Sequence, residues 1–508
     1  MADHSLWPLP DAFETVALVS EADTVRLAND LAVILKRGDT VCLSGDLGAG
    51  KSTFARALIR SFAGDPELEV PSPTFTLVQT YGFERFDLSH FDLYRLEEPE
   101  ELEELALDDL LGAGAALIEW PEMAQELLPQ SALWIQFTQP DVGSEQREVR
   151  LWSAAPDWRE RVAETLRIRS FLTSADRPDD VRQFLAGDAS LRTFETVSGE
   201  GSPAVLMRWP FQGDALPEAI GSYMEKVHLA RDCRAVLAIG SELRAHGFLA
   251  PEVFAADPQK GLVLSAFLGA RTIVEGGRPV PERYRAAVEL LVEMHGQDWP
   301  RSVALADGAH YQVPAYSADA LIAEASLFLD WHVPETTGQE ADPALRQEFE
   351  RVWTAALDSI SDAQSGWVLR DFHSPNLLWQ EGAEGRKRIG LIDFQDTVLG
   401  PVAYDVASLL LDARTDIDPA LEAELFETYV SARESRSSGF DRQRFETAYA
   451  VMGAQRITKI LGIFVRLARR DGKPAYLSHL PRMLGYLERV LDRPGMSELK
   501  GWYEGIRP

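Results

Sequence analysis

One uninterrupted octapeptide, Gly45-Asp46-Leu47-Gly48-Ala49-Gly50-Lys51-Ser52, restricts what this chain can fold into more than any other stretch. It fits G-x-x-x-x-G-K-[S/T], a pattern that average residue usage produces by chance in roughly two of every hundred chains of this length. Its flanks agree with it. The run Thr40-Val41-Cys42-Leu43 reads as a strand, and Ser52 to about Phe62 as a helix. A strand, a glycine-rich turn and a helix in that order gather backbone N–H groups and a helix N-terminus around phosphate oxygens. Lys51 then reaches the β- and γ-phosphates, and the Ser52 hydroxyl binds magnesium. The candidate nucleotide contacts run from Gly45 through Ser52 to Thr53.

Such a loop needs an acidic group beside the metal and a group that senses the γ-phosphate. Glu119 follows the apolar run Ala115-Ala116-Leu117-Ile118, at the C-terminal end of a strand, where α/β sites collect. Asp92, in His90-Phe91-Asp92-Leu93-Tyr94-Arg95, is a second candidate carboxylate. Thr74, in Ser72-Pro73-Thr74-Phe75, is a candidate for a switch-like loop. Thr76-Leu77-Val78 and Leu133-Trp134-Ile135-Gln136-Phe137 read as further strands. Strands alternating with helices up to about residue 153 predict an α/β unit whose sheet is covered on both sides. The acidic run from Glu97 to Glu104 predicts a solvated helix opening after Pro99, with Leu102, Leu105, Leu110 and Leu111 on its buried side.

The phosphate loop, Ser72-Pro73-Thr74-Phe75, His90-Phe91-Asp92-Leu93-Tyr94-Arg95 and Glu119-Trp120-Pro121 follow one another in the order found in TsaE, which residues 10–153 resemble. TsaE is the small ATPase of the bacterial machinery that makes threonylcarbamoyladenosine at position 37 of tRNAs. The resemblance implies an α/β P-loop NTPase domain that takes ATP and Mg2+, with Ser52 and Glu119 at the metal. Thr74 and Asp92 are implied to be needed for hydrolysis. It also implies partnership with the transferase subunits of that pathway, ATP turnover driving their cycle. The family usually carries threonine where Ser52 stands, and the hydroxyl is kept.

Beyond about residue 180 the texture changes. Short strands (Leu191 to Val197, Ala204 to Trp209, Leu262 to Phe267) lead into mainly helical sequence from Pro281, an α+β arrangement of a small lobe and a larger one. Asp371 and Asn376 stand as D-x-x-x-x-N, a spacing that arises by chance about once in a chain this long. Seventeen residues past Asn376, the apolar run Ile389-Gly390-Leu391-Ile392 ends in Asp393-Phe394-Gln395. In phosphoryl transfer to a hydroxyl, one aspartate accepts or orients the substrate proton, while an asparagine and another aspartate hold magnesium. Asp371, Asn376 and Asp393 supply those roles in that order. Asp405, near the first turn of an apolar helix, reads as a cap or as a tie to the Asp371 loop rather than as a ligand.

Gly187-Asp188-Ala189-Ser190-Leu191-Arg192, the segment from Arg370 to Leu377, and Ile392-Asp393-Phe394-Gln395-Asp396 resemble the aminoglycoside phosphotransferase-like kinases, over about residues 180–490. Within them the resemblance is to the kinases that phosphorylate N-acetylmuramate and N-acetylglucosamine, cell-wall amino sugars, at the anomeric hydroxyl. It implies a two-lobed protein-kinase-like domain using ATP and Mg2+, with Asp371 catalytic and Asn376 and Asp393 at the metal. Two positions depart from the pattern. Leu369 stands where a histidine is expected, and Val205-Leu206-Met207-Arg208-Trp209 lacks the usual nucleotide-binding lysine. Arg192 and Arg208 are the candidate nucleotide contacts in its place, although a guanidinium is longer and more rigid than an ammonium. These departures leave a non-catalytic binding module open for the C-terminal part, and the acidic composition leaves an antibiotic-modifying kinase open.

The expected organisation is an ATPase domain at 1–155, a linker helix and hinge at 156–180, and a kinase domain at 181–508. The kinase domain divides into a small lobe at about 181–268 and a helical lobe at about 269–508. Fifty Lys and Arg against eighty Asp and Glu leave a formal net charge of −30 in 508 residues, which repels a phosphate backbone. Strong direct nucleic-acid binding is therefore not expected. Cys42 and Cys233 fit neither a zinc spacing nor a disulfide framework. No run of 18 apolar residues and no signal-peptide pattern appears, so a cytoplasmic protein without a membrane contact is expected.

Overall fold

The computed structural model describes residues 11–139, 146–185, 192–210 and 218–506. It divides into two compact units, Met1–Met207 and Arg208–Pro508. The elements of the first are β1 (Glu14–Leu18), α1 (Glu21–Ile34), β2 (Thr40–Gly45), α2 (Lys51–Ala63), β3 (Val78–Tyr81), β4 (Asp87–Asp92), α3 (Glu101–Glu104), α4 (Leu107–Ala113), β5 (Gly114–Glu119), β6 (Leu133–Thr138), β7 (Arg147–Trp152), α5 (Pro156–Ser174), β8 (Val181–Leu185), β9 (Thr193–Ser198) and β10 (Ala204–Arg208). Seven strands form one sheet in the order β1-β7-β6-β2-β5-β4-β3. The central pairs are parallel, and antiparallel pairs extend the sheet toward its edges.

Strand alternation sends successive side chains to opposite faces, and here both faces are covered. Val41, Leu43, Leu117 and Ile135 join Leu31 of α1, Phe54 and Leu58 of α2 and Trp158 of α5 in one core. The intervening Cys42, Ala116, Ile118 and Trp134 join Leu102 and Leu107 in the other. That is why β2 and β5 are buried along their whole length. Two local expectations are corrected. The acidic run does not open a single helix: Ala106, at φ +52°, separates α3 from α4. Leu102 and Leu107 are buried, whereas Leu105, Leu110 and Leu111 are half-buried. Nor does a strand begin at Thr76. Leu77 takes φ +62° and its N–H closes a turn onto the Pro73 carbonyl (2.7 Å).

The second unit contains the antiparallel pair Val253–Asp257 with Leu262–Ala266, followed by mainly helical structure. Tyr284 and Leu291 of helix Pro281–Met294 share a core with Tyr404, Tyr429, Tyr449, Leu461 and Tyr486 from later helices. Two small antiparallel pairs, Ser365–Val368 with Val398–Pro401 and Leu377–Trp379 with Ile389–Leu391, hold the segments that carry Asp371, Asn376 and Asp393. Among the described residues no helix is long and apolar enough to cross a membrane. Both cysteines are buried and free.

Candidate functional site

Two clusters of polar side chains gather several of the residues named from the sequence. The first surrounds the turn between β2 and α2. Gly45, Gly48 and Gly50 hold φ values of +133°, +79° and +113°, backbone that only glycine adopts cheaply. The turn leads directly into the start of α2. Lys51 is buried, and its ammonium donates to the Gly45 (2.5 Å) and Asp46 (2.9 Å) carbonyls. It also lies 3.6 Å from the centre of the Trp120 ring. Burial pulls the Lys51 pKa down, against the opposing pull of Glu122, Glu119, Asp46 and Asp92. The Ser52 hydroxyl donates to Glu119 Oε2 at 2.7 Å.

The parallel register explains the acidic side. Leu43 and Asp92 both pair with Glu119, so the C-terminal ends of β2, β4 and β5 lie side by side. Ser72 and Thr74 both donate to Asp92 Oδ2, at 2.9 and 2.7 Å. Two residues that carried no role in the sequence reading complete the cluster. Trp120 covers Lys51, and His90 Nε2 lies 3.0 Å from Glu119 Oε1. His90 was legible by period, since it stands two positions before Asp92 on the same strand face.

The second cluster is held by the backbone around Asp371. Asp405, fully buried on helix Ala403–Leu410, accepts the N–H groups of Leu369 (2.6 Å) and Arg370 (3.0 Å). It is the tie to the loop, as the sequence suggested. Burial pushes the Asp405 pKa up to about 7 despite these bonds. The Asn376 amide donates to the Asp371 carbonyl (3.0 Å) and to Asp393 Oδ2 (3.4 Å), bringing the three named residues together. Gln395 donates to Asp393 (3.1 Å) and to Asp396 (3.1 Å). Arg370 and Asp393 are non-glycine residues in the left-handed region, at φ +66° and +59°, strain of the kind that active-site loops hold.

Basic and acidic side chains both stand near Asp371. His373 Nε2 and Arg456 Nη1 stand 3.7 and 3.9 Å from its carboxylate. Burial alone would raise the Asp371 carboxyl, but neighbouring His373, Arg456 and Lys459 outweigh it and hold it well below the usual carboxylate range. Arg456 also donates to the Arg370 carbonyl at 2.7 Å. The nearby buried Glu324 is paired with Arg370 and with Lys459 (2.8 Å). Glu324, Arg456 and Lys459 lie so far from the Asp371 motif in sequence that no spacing rule points to them.

The remaining candidates are dispersed. Leu369 fills the apolar core with 3% exposure, and no polar role is open to it. Arg192 lies 5.8 Å from the Phe194 ring, and Arg208 is half-buried at the end of β10. Gly187 to Leu191 fall outside the described residues. Among the described residues no cluster of three or more His, Cys, Asp or Glu could hold a metal by itself. Mg2+ ordinarily keeps several waters and takes one or two protein ligands beside phosphate oxygens. The Ser52–Glu119 and Asn376–Asp393 pairs both fit that chemistry.

Comparison with known proteins matches each cluster separately. The family model for threonylcarbamoyl adenosine biosynthesis protein TsaE matches residues 18–149, and that for the phosphotransferase enzyme family matches residues 181–444. An N-acetylmuramate/N-acetylglucosamine kinase of Caulobacter vibrioides is 35% identical over 353 residues, 67% of this chain and 95% of the relative. A TsaE of Rickettsia conorii is 48% identical over 111 residues, 22% of this chain and 63% of the relative. That of Rickettsia bellii is 46% identical over 112 residues, 22% of this chain and 77% of the relative. The chain thus joins a TsaE-family ATPase to a member of the phosphotransferase enzyme family, related to the N-acetylmuramate/N-acetylglucosamine kinases.

Proposed function

We propose that this chain carries two ATP–Mg2+ sites with different phosphate acceptors, water at the first and a sugar hydroxyl at the second. At the first, Gly45 to Thr53 hold the phosphates, Ser52 and Glu119 hold the metal, and Thr74 with Asp92 respond to the γ-phosphate. Its turnover serves the tRNA threonylcarbamoyladenosine pathway through that pathway's transferase subunits. The paired hydroxyls on Asp92 support this reading, since they connect the Ser72–Thr74 loop directly to a carboxylate beside Glu119.

At the second site Asp371 takes or orients the acceptor proton, and Asn376 and Asp393 hold the metal. Arg192 and Arg208 are the candidate phosphate contacts of the small lobe. The metal supplies charge neutralisation for the transferred phosphoryl group, and this chain's residues supply orientation and the ionised base. The acceptor is a neutral or anionic amino sugar of the N-acetylmuramate/N-acetylglucosamine type. The 35% identity to an N-acetylmuramate/N-acetylglucosamine kinase, over 95% of that relative, supports that choice.

The test is phosphate transfer from ATP to N-acetylmuramate, N-acetylglucosamine and kanamycin by the full-length protein. Phosphorylation of the acetylated sugars without kanamycin is expected. Preferred phosphorylation of kanamycin overturns the acceptor assignment, and no product on any acceptor favours a non-catalytic binding module.

A further inference from the structure

β8 and β9 open the region that the phosphotransferase model matches, yet they belong to the compact unit that holds the phosphate loop. A buried ion cluster ties them to that unit. The Arg182 side chain on β8 has no solvent exposure. It grips Glu195 of β9 with two bonds, at 2.7 and 3.0 Å. Its remaining nitrogen donates to Asp30 of α1 (3.0 Å) and to the Thr165 hydroxyl of α5 (2.7 Å). Arg169 of α5 holds Asp30 with two further bonds (2.9 and 2.7 Å) and donates to the Pro178 and Asp180 carbonyls (2.8 and 2.9 Å).

The charges cancel within this set, two guanidiniums against two carboxylates, and the forks are bidentate, the strong form of such pairs. The residues between α5 and β8 are held as well: Arg26 pairs with Asp179, and Arg177 with Asp180 (2.9 Å). Beside the cluster, the Gln183 side chain packs at Gly64, which ends α2. The Arg85 guanidinium lies over both Phe62 of α2 and Phe184 of β8 (5.0 and 4.5 Å). The other end of α2 is the phosphate loop. Burying four charges is costly unless every partner stays in place, so the cluster orders all of its elements or none.

We propose that the ATPase unit is a working part of the kinase. It carries β8 and β9 as one cooperative body through the Arg182 cluster, and the kinase's use of ATP therefore depends on residues that belong to neither site. This rests on the reading that the region from residue 181 onward forms the kinase.

The test uses the full chain with Lys51→Ala throughout, which silences turnover at the phosphate loop. The intact cluster is compared with Arg182→Met and with Thr165→Val, which removes one bond and no charge. Steady-state N-acetylglucosamine phosphorylation and amide hydrogen exchange are read on the same proteins. Arg182→Met is expected to raise the ATP KM about fivefold or more while the sugar KM holds. Exchange is expected to rise about tenfold in β8, β9, α1 and α5 together. Thr165→Val moves both readouts the same way by less, and it decides the matter if Arg182→Met does not fold. Unchanged kinetics, or faster exchange in residues 181–198 alone, overturns the proposal. If no variant makes a sugar phosphate, the kinase reading fails instead, and joint exchange of the four elements alone decides whether the cluster is one body.

Discussion

Gly45 holds φ at +133°, and a methyl group there would lie 2.4 Å from the Phe137 carbonyl oxygen. Gly45→Ala is therefore expected to cost about 2 kcal/mol or more and to abolish nucleotide binding at the phosphate loop. Urea unfolding and binding of a fluorescent ATP analogue read the two effects. In the second unit, Asp371→Asn removes a carboxylate that its neighbours hold well below the usual range. A fall in kcat of about 100- to 10,000-fold is expected, with the ATP KM little changed. His295 gives a pH signature. It is fully buried against Tyr429, and burial pulls its pKa down to about 3. The unfolded imidazole binds its proton near pH 6.5, so folded stability is whole above that pH and is lost as pH falls toward 3. Between pH 7.5 and 4.5 this contributes roughly 2–3 kcal/mol of destabilisation. His295→Gln is expected to lose that part of the pH dependence in urea midpoints. A slope equal to that of the wild type would show that the folded imidazole takes up its proton at the same pH as the unfolded one.

Elements were legible wherever a local pattern decides them. The β2–turn–α2 unit and the alternating strands β5 and β6 form where apolar period and turn residues require. The acidic run after Pro99 shows the limit, because its leucine spacing fits one helix while the backbone turns left-handed at Ala106. Nothing local marks that break; it follows from fitting Leu102 and Leu107 under one face of the sheet. Helix packing offers a sharper test of what context adds. Gly462 lies within helix Arg442–Arg469, and a Cβ there would meet the Leu327 backbone at 2.3 Å. Gly485, in helix Leu480–Leu491, has open space around it. Propensity alone favours alanine at both by about 1 kcal/mol. Gly485→Ala is expected to stabilise by about that amount, and Gly462→Ala to destabilise by about 1–3 kcal/mol. Thermal melts of the two variants check the sign at each position.

At the scale of the whole molecule, the residues proposed for phosphate chemistry were readable because their spacing is short. The residues that set their charge were not. Arg456 and Lys459 reach the Asp371 site from a helix far along the chain, and Arg182 meets Asp30 at a separation of 152 residues. Such meetings are decided by tertiary packing and leave no periodic trace. Among the described residues the two proposed sites share no side chain: Lys51, Ser52 and Glu119 are assigned to one, and Asp371, Asn376 and Asp393 to the other. Separate function is therefore the central claim. The direct measurement quantifies free phosphate and N-acetylglucosamine phosphate side by side, in full-length wild type, Lys51→Ala and Asp371→Asn. Acceptor-independent phosphate release lost only in Lys51→Ala, and sugar phosphate lost only in Asp371→Asn, is the expected pattern. Loss of both products in Lys51→Ala, or in Asp371→Asn, would contradict it.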